Sequence, residues 1–427
     1  MFHLARKISA LMLVAAFLML TIPSLNTAHA AEDLVRLAGS NRFATSTTIS
    51  VASFPGTDSA VSAVLANGRN FPDALAGIPL ATVAGGPLLL TEQDALPDVI
   101  ATELLRALPS GATVYVLGGQ AAVSQAVLDY LGSLGFVPER ISGGNRYETG
   151  KAIADKIDTL RGTSKQHAYL VSGESFPDAL SISPKAALDK EVVLLNGTSA
   201  LSALVATYLD ENPSITKVTI VGGTSVVGAE VADALTARGL VVTRIAGKDR
   251  YETSQRVADL FVAGTDKPAG FGLASGEDFP DALSAGPQLA SFGKPLLLSK
   301  KTNIGCVLSG NFIFDYSARL GSGFVYGGIA VIAQATEEYA ERLMAGTDAL
   351  GNCDTNDEPD PPPAETNDGG GNTNPPGNYG YDGIDKNCSD FSSSEEAQAY
   401  FEADGGSSTY NVDGLDADGD GLVCEWL

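Results

Sequence analysis

The sequence predicts an α/β protein made of three tandem α/β sandwich domains with parallel sheets. A repeated Arg block, a repeated Phe-Pro-Asp turn and a repeated apolar run ending in Gly-Gly carry that prediction. The block around Arg42 (NRFATS) returns at Arg146 (NRYETG) and Arg250 (DRYETS), at an identical step of 104 residues. Arg36, Arg140 and Arg244 stand six residues before those arginines. Phe-Pro-Asp ends at Asp73, Asp178 and Asp281, and the Gly pair begins at Gly118, Gly222 and Gly327. One unit used three times therefore builds most of the chain. At about a hundred residues each unit is long enough to bury its own core, unlike a short solenoid repeat.

The second unit shows the elements in order. Arg140 to Gly143 reads as a short strand and turn, and YETGKAIADKI from Tyr147 as an amphipathic helix. Ala168 to Ser172 is an apolar strand ending in a glycine turn, after which a helix starts at Phe-Pro-Asp. Val192 to Leu195 is a second buried strand, and Leu204 to Leu209 a short helix. Lys217 to Val221 is a strand that stops at Gly222-Gly223, and Val226 to Leu235 closes the unit as a helix. Short, continuously apolar strands alternating with helices indicate parallel sheets covered on both faces. Ligands of such sheets bind beyond the carboxyl ends of the strands. Neither GxGxxG nor GxxxxGK[ST] occurs at these turns, so the pattern gives no support to a nucleotide-phosphate site.

The repeated polar residues have competing roles. Asn70, Ser175 and Asp278 precede the three Phe-Pro-Asp turns and are good N-cap types, which would place each Asp at the third helical position. Arg42, Arg146 and Arg250 fit two roles. They would either pair with those aspartates to hold the units together or grip carboxylate and phosphate on a ligand. Arg36, Arg140 and Arg244 are candidates for the same polymer contacts. The Glu of RYET (Glu148, Glu252) is Ala44 in the first unit, so no role common to all three units rests on it.

Charge and cysteine usage bound the class. Arg6 and Lys7, an apolar run from Leu11 to Ile22 and Ala28-His29-Ala30 describe a secretory signal peptide cut after Ala30. The run is shorter than the roughly 20 residues of a membrane span, and no later segment qualifies, so the mature chain is expected to be exported and soluble. Four cysteines suit that compartment: Cys306 and Cys353 fall in one region, Cys388 and Cys424 in another. Sequence does not determine their connectivity, and none has CxxC spacing. A Cys306–Cys353 bridge would staple the end of the third unit and contribute about 3–4 kcal/mol in the chain-entropy model. The net charge is −24, most of it beyond Gly351, where 18 Asp and Glu face one Lys. So acidic a chain is a poor candidate for nucleic-acid binding, and any polyanion must be held in local Arg or Lys pockets.

Residues Asp354 to Asn378 (DTNDEPDPPPAETNDGGGNTNPPGN) cannot build a core and read as a solvated linker. Near the C-terminus, Asp416, Asp418 and Asp420 occupy positions 1, 3 and 5 of a calcium-type loop with Gly421 at position 6. Leu422 would add its carbonyl. Glu425 falls at position 10 rather than 12 and no helix follows, which excludes a complete EF-hand.

The spaced set RIxGxxRYxT, FPDAL, PLLL (Pro87 to Leu90, Pro295 to Leu298) and a VGG-type turn resembles the cell wall binding repeat type 2 family over about residues 34 to 345. That resemblance implies a pseudo-threefold arrangement, an internal pseudo-trimer in a monomer. It also implies non-covalent attachment to an anionic cell-wall polymer, teichoic-acid-like or an acidic polysaccharide, on Gram-positive bacteria. EVVLL (Glu191 to Leu195) departs from the family's PLLL, and the third unit degenerates between Lys300 and Leu320, so the three polymer sites need not be equivalent. The segments NCSDF, EEAQAYF and LDADGDGLVCE are similar to the excalibur family, extracellular calcium-binding modules. This implies Ca2+ as the bound ion and a small domain clamped by Cys388 and Cys424. The expected division is a signal peptide over 1–30, repeats over 31–135, 136–240 and 241–353, a linker over 354–378 and the calcium module over 379–427.

The leading expectation is thus a secreted, non-enzymatic surface protein. An envelope hydrolase or an adhesin using the repeats as scaffold are the alternatives. After signal removal only His167 remains of the three histidines, which disfavours Ser/His or Cys/His triads and multi-His metal centres. Paired-carboxylate glycosidase chemistry needs no His and stays open.

Overall fold

In the computed structural model the chain divides into two compact units, Met1–Pro363 and Ala364–Leu427. The structure describes residues 34–262, 270–304, 310–317 and 320–347, all within the first unit. The first repeat runs β1 (Val35–Leu37), α1 (Arg42–Ser53), β2 (Ala63–Asn67), α2 (Gly77–Ala84), β3 (Leu88–Thr91), α3 (Asp98–Ala107), β4 (Thr113–Leu117) and α4 (Gln125–Ser133). The second runs β5 (Val137–Ile141), α5 (Arg146–Arg161), β6 (His167–Ser172), α6 (Pro177–Asp189), β7 (Val193–Asn196), α7 (Ala203–Glu211), β8 (Lys217–Val221) and α8 (Ala229–Ala237). The third runs β9 (Val241–Ile245), α9 (Arg250–Val262), β10 (Gly272–Ser275), α10 (Pro280–Phe292), β11 (Leu296–Ser299), α11 (Gly310–Tyr316), β12 (Phe324–Tyr326) and α12 (Gln334–Met344). Every element expected in the second unit is present within a few residues of its expected bounds.

The three sheets are parallel and share one order, β3-β2-β4-β5, β7-β6-β8-β9 and β11-β10-β12-β1. The sequence period and the folded sheet are out of phase. The strand that opens each repeat pairs with the sheet of the preceding repeat: β5 lies on β4, and β9 on β8. The ring closes when β1 pairs with β12, Val35 opposite Phe324. The central strand Ala63–Asn67 and even the edge strands Leu88–Thr91 and Leu296–Ser299 are buried throughout, as the continuous apolar runs require.

The helices α2, α6 and α10 pack against one another pairwise, which puts the Phe-Pro-Asp segments at a common centre. Each is covered in turn by the first helix of the following repeat: α5 on α2, α9 on α6, and α1 on α10. Gly286 lets α10 approach α2, since a Cβ there would lie 2.5 Å from the Ile78 side chain. The Ser183 hydroxyl donates to the Ala179 carbonyl, which satisfies its donor inside this apolar junction.

The second glycine-dependent feature is the Gly pair. Gly118, Gly222 and Gly327 all have positive φ, at 92°, 115° and 101°. A Cβ on each would also sit 2.7, 2.5 and 2.4 Å from the carboxylate of Asp73, Asp178 and Asp281 respectively. Phe-Pro-Asp and Gly-Gly are therefore one device: the turn glycine makes room for the aspartate. Gly222→Ala is expected to cost about 2–3 kcal/mol in denaturant unfolding, from backbone strain and the displaced carboxylate. The neighbouring Gly223→Ala, which meets nothing closer than 3.8 Å, should stay within about 0.5 kcal/mol of wild type.

Candidate functional site

The arginine block decodes into a helix start with four fixed contacts. Asn41, Asn145 and Asp249 cap α1, α5 and α9, accepting from the backbone of Ala44, of Tyr147 and Glu148, and of Glu252. Thr45, Thr149 and Thr253 accept from the amides of Gly39, Gly143 and Gly247 at 3.0–3.1 Å. Those glycines touch the helix start so closely that a Cβ would fall 2.1–2.3 Å from it. Glu148 and Glu252 return to the amides of Gly144 and Lys248, both at 2.8 Å. The arrangement resembles a capping box with the return bond shifted to the amide just before the cap, and Ala44 leaves the first repeat without that bond.

The capping box expected at Phe-Pro-Asp is not there. Helices α6 and α10 begin at Pro177 and Pro280, and neither has a side-chain cap. Proline suits the first helical position, and the residue before it, Phe176 or Phe279, occupies the cap position with helical φ and ψ although a following proline disfavours them. Ser175 and Asp278 are left one residue too far out. In the first repeat the helix begins only at Gly77, seven residues past Asn70.

Arg42, Arg146 and Arg250 each donate from Nη1 to the carbonyl of Gly68, Gly173 or Gly276, at 2.7, 3.0 and 2.6 Å. The same glycines carry the ring of Phe43, Tyr147 or Tyr251, which a Cβ would strike at 2.6–2.7 Å. Each arginine thus fixes the loop that leaves the strand tip and leads to Phe-Pro-Asp. Those loops converge on a triangle of Phe71, Phe176 and Phe279, with ring centroids 5.5, 5.7 and 6.2 Å apart. The Arg250 guanidinium lies over the Phe176 ring of the preceding repeat at 5.8 Å. Arg42 Nη2 stands 4.0 Å from Asp278 Oδ2, across the junction of the first and third repeats. All three arginines remain half-buried rather than enclosed.

Charge at these junctions is finely balanced. Burial pushes the Asp178 carboxyl up to about 6, opposed by the positive charge of Arg250. Burial and the neighbouring Asp278 push Asp281 up to about 6, opposed by Arg42 and by a hydrogen bond from Thr45. Each of these aspartates thus feels the positive charge of an arginine from the adjacent repeat, while the carboxylate within 4.0 Å of Arg42 is Asp278 rather than the Phe-Pro-Asp aspartate.

The second arginine set is bound inward. Arg36 engages Gly327 O through Nη1 and Glu337 Oε2 through Nε and Nη2. Arg140 Nη1 donates to Gly118 O, and Arg244 donates to Gly222 O and Gly228 O. Each of these ties the borrowed strand to the Gly-Gly turn of its sheet.

Beyond the carboxyl ends of β2 and β3 the first repeat opens a cleft of about 390 Å³, floored in part by Ala121 and Ala122. Asn67 shapes its wall, accepting from the amides of Arg69 and Asn70 and donating to Ala122 O. Arg69 and Glu92 form a two-pronged pair across it, Nε to Oε2 at 2.7 Å and Nη2 to Oε1 at 2.9 Å. Sequence periodicity does not reveal this cleft, because its charged residues do not recur. Glu174 and Glu277 stand where the first repeat has Arg69.

The remaining expected residues, Cys306, Cys353, Cys388, Cys424, Asp416, Asp418, Asp420, Leu422 and Glu425, lie outside the described residues. Among the described residues no group of three His, Cys, Asp or Glu side chains could hold a metal ion, and no helix is long and apolar enough to cross a membrane.

The family model of cell wall binding domain 2 matches residues 36–128, 140–232 and 244–337, and the Excalibur calcium-binding domain matches 385–425. N-acetylmuramoyl-L-alanine amidase LytC of Bacillus subtilis (strain 168) is 30% identical over 279 residues, 65% of this chain and 52% of LytC. The amidase enhancer of the same organism is 30% identical over 258 residues, 60% of this chain and 33% of that protein. The chain thus spans about half the length of one curated relative and a third of the other. Two solved structures from Clostridium difficile share the fold. Cwp6 has a TM-score of 0.66 at 23% identity, and Cwp8 one of 0.63 at 28%; each covers 74% of this chain, and the match spans 48% and 52% of theirs.

A carboxyl whose folded pKa lies above its unfolded value stabilises the fold below the ordinary range and loses that contribution as pH rises through the folded value. For Asp178 and Asp281 that window runs from about 4 to about 6. The thermal midpoint should fall by a few degrees between pH 4.5 and 7, and Asp178→Asn should flatten the decline in a calorimetric pH series.

Proposed function

Because the chain belongs to the cell wall binding domain 2 family, we propose that it is a secreted, non-enzymatic protein held non-covalently on a bacterial cell wall by its three repeats. The observation that carries this reading is the threefold match itself, set in one closed ring around a common centre. A repeating polymer met by several weak sites on one body gains retention through effective concentration, without any single tight site.

The polymer in this reading is anionic, and Arg42, Arg146 and Arg250 are its contacts. Each holds a loop through Nη1 yet stays half-exposed at the strand tips, where sheets of this type present their ligands. Arg36 is a poorer contact, since all three of its nitrogens have internal partners; Arg244 donates to two backbone carbonyls, and Arg140 donates through Nη1 alone, its Nη2 being buried without a partner. An acidic chain that binds a polyanion through such pockets will do so in a salt-dependent manner.

A calcium ion is assigned to the Excalibur module, where the three carboxylates Asp416, Asp418 and Asp420, the Leu422 carbonyl and Glu425 supply the hard oxygen donors that Ca2+ takes. The rival reading, an envelope hydrolase, draws on the amidase among the relatives. Against it, His167 spends Nε2 on Thr219 at the far end of its sheet from the strand tips, so it has no place in a triad there.

Isolated walls should retain the protein, and stripping their anionic polymers should lower retention at least tenfold. Release of sugars or peptides would favour the hydrolase. Arg146→Gln should weaken retention about five- to tenfold and make its remaining loss with salt shallower, while the unfolding midpoint moves little. A collapse of the midpoint with retention unchanged would leave Arg146 a structural residue. In the module, Trp426 adjoins Glu425; its emission should change with a calcium midpoint of about 0.1–1 mM and revert on chelation.

A further inference from the structure

The strand tips of the three repeats carry different chemistry on the same backbone. In the second repeat both oxygens of Glu174 are engaged, by the Tyr147 hydroxyl at 3.2 Å and the Thr198 hydroxyl at 3.1 Å. In the third, Glu277 stands at that position and Lys300 and Lys301 follow the neighbouring strand, Lys300 lying 5.7 Å from the centre of the Tyr251 ring. The first repeat reverses the order of charge, with Arg69 after β2 and Glu92 after β3.

We propose that the cleft at the strand tips of the first repeat binds a neutral N-acetylated amino sugar, and so reads the uncharged part of the wall polymer rather than its anionic groups. The inference rests on the wall-attachment reading and refines it.

Charge comes first. The cleft holds one guanidinium against two carboxylates, Glu92 and Asp94, and the guanidinium is already committed to Glu92 at 2.7 and 2.9 Å. A phosphate or carboxylate entering there would meet net negative charge, the opposite of an anion pocket. Hydroxyl groups would not. Carboxylates accept pairs of neighbouring O–H donors, and a carboxylate already oriented by arginine is set to do so without reorganising.

Shape and amide chemistry narrow the class. The pair is open to solvent, with Arg69 50% and Glu92 31% exposed. Asn70 and Gln93 bring amide groups to the same cleft, with both donors and acceptors for the N–H and C=O of an acetamido substituent. Ala121 and Ala122 give a small apolar surface suited to the C–H face of a sugar ring or to the acetyl methyl. The volume of about 390 Å³ lies in the range of small-ligand sites, roughly 300–1,000 Å³.

The test uses the full chain with two probes, chitotriose and poly(glycerol phosphate). Saturation-transfer NMR should show contact with the chitotriose rings and acetyl groups. Glu92→Gln removes an acceptor, and Ala121→Phe fills the cleft while leaving its charges in place. Each should weaken chitotriose at least tenfold and change poly(glycerol phosphate) binding less than twofold, with the unfolding midpoint preserved. Absent transfer to chitotriose, or undiminished binding by both variants, overturns the proposal, as does a Glu92→Gln variant that gains only polyanion affinity. If native walls still retain the protein in that case, the attachment reading stands; if they do not, that reading has failed on its own.

Discussion

The parallel pairing of Val35–Leu37 with Phe324–Tyr326 turns a linear array into a ring, and the other features take their positions from it. Without it the third sheet would lack its outer strand, Arg36 would lose Gly327 and Glu337, and α1 would lose its seat on α10. The contact spans almost three hundred residues, so its formation carries a loop-closure cost that local contacts alone do not repay. What offsets it is the apolar centre shared by α2, α6 and α10. The repeats are therefore units of sequence more than units of stability, since each sheet is completed by another repeat.

Much of this was legible in the residues. Alternating apolar strands and helices gave the order of elements in the second unit, because burial on both faces leaves an unmistakable continuous run, as at Val193–Asn196. The strand at Arg140 was also evident, but not its partner. Periodicity encodes which face of a strand is buried and says nothing about which sheet receives it. The spacing at Ser175 and Asp278 suggests a side-chain cap, yet the caps sit instead at Asn145 and Asp249. Both places offer the right residue types at the right spacing. Proline decided between them, by starting the helix one residue later than the polar side chain needs.

The aspartates of Phe-Pro-Asp show a further limit. Their recurrence signalled a shared role, and the shared role is contact with a left-handed glycine about forty-five residues downstream. Neither motif alone explains the other; only the fold brings them together. The reverse holds for the cleft residues Arg69, Glu92 and Asp94. They do not recur, so repeat analysis passes over them, yet they alone give the first strand tip its character. A symmetric frame with unlike rims allows each repeat to meet a different part of one polymer while the core stays common.

The ring also has a mechanical side. The chain enters the body at β1 and, after β12 and α12, leaves it, and these two strands lie side by side in one parallel sheet. Once α12 is pulled away, tension on the start of β1 and the end of β12 would act along that pair in opposite senses, loading its hydrogen bonds in shear together. A tether built this way resists as one clasp. It would not unzip repeat by repeat, and the strand tips would keep their geometry until the clasp itself gave way.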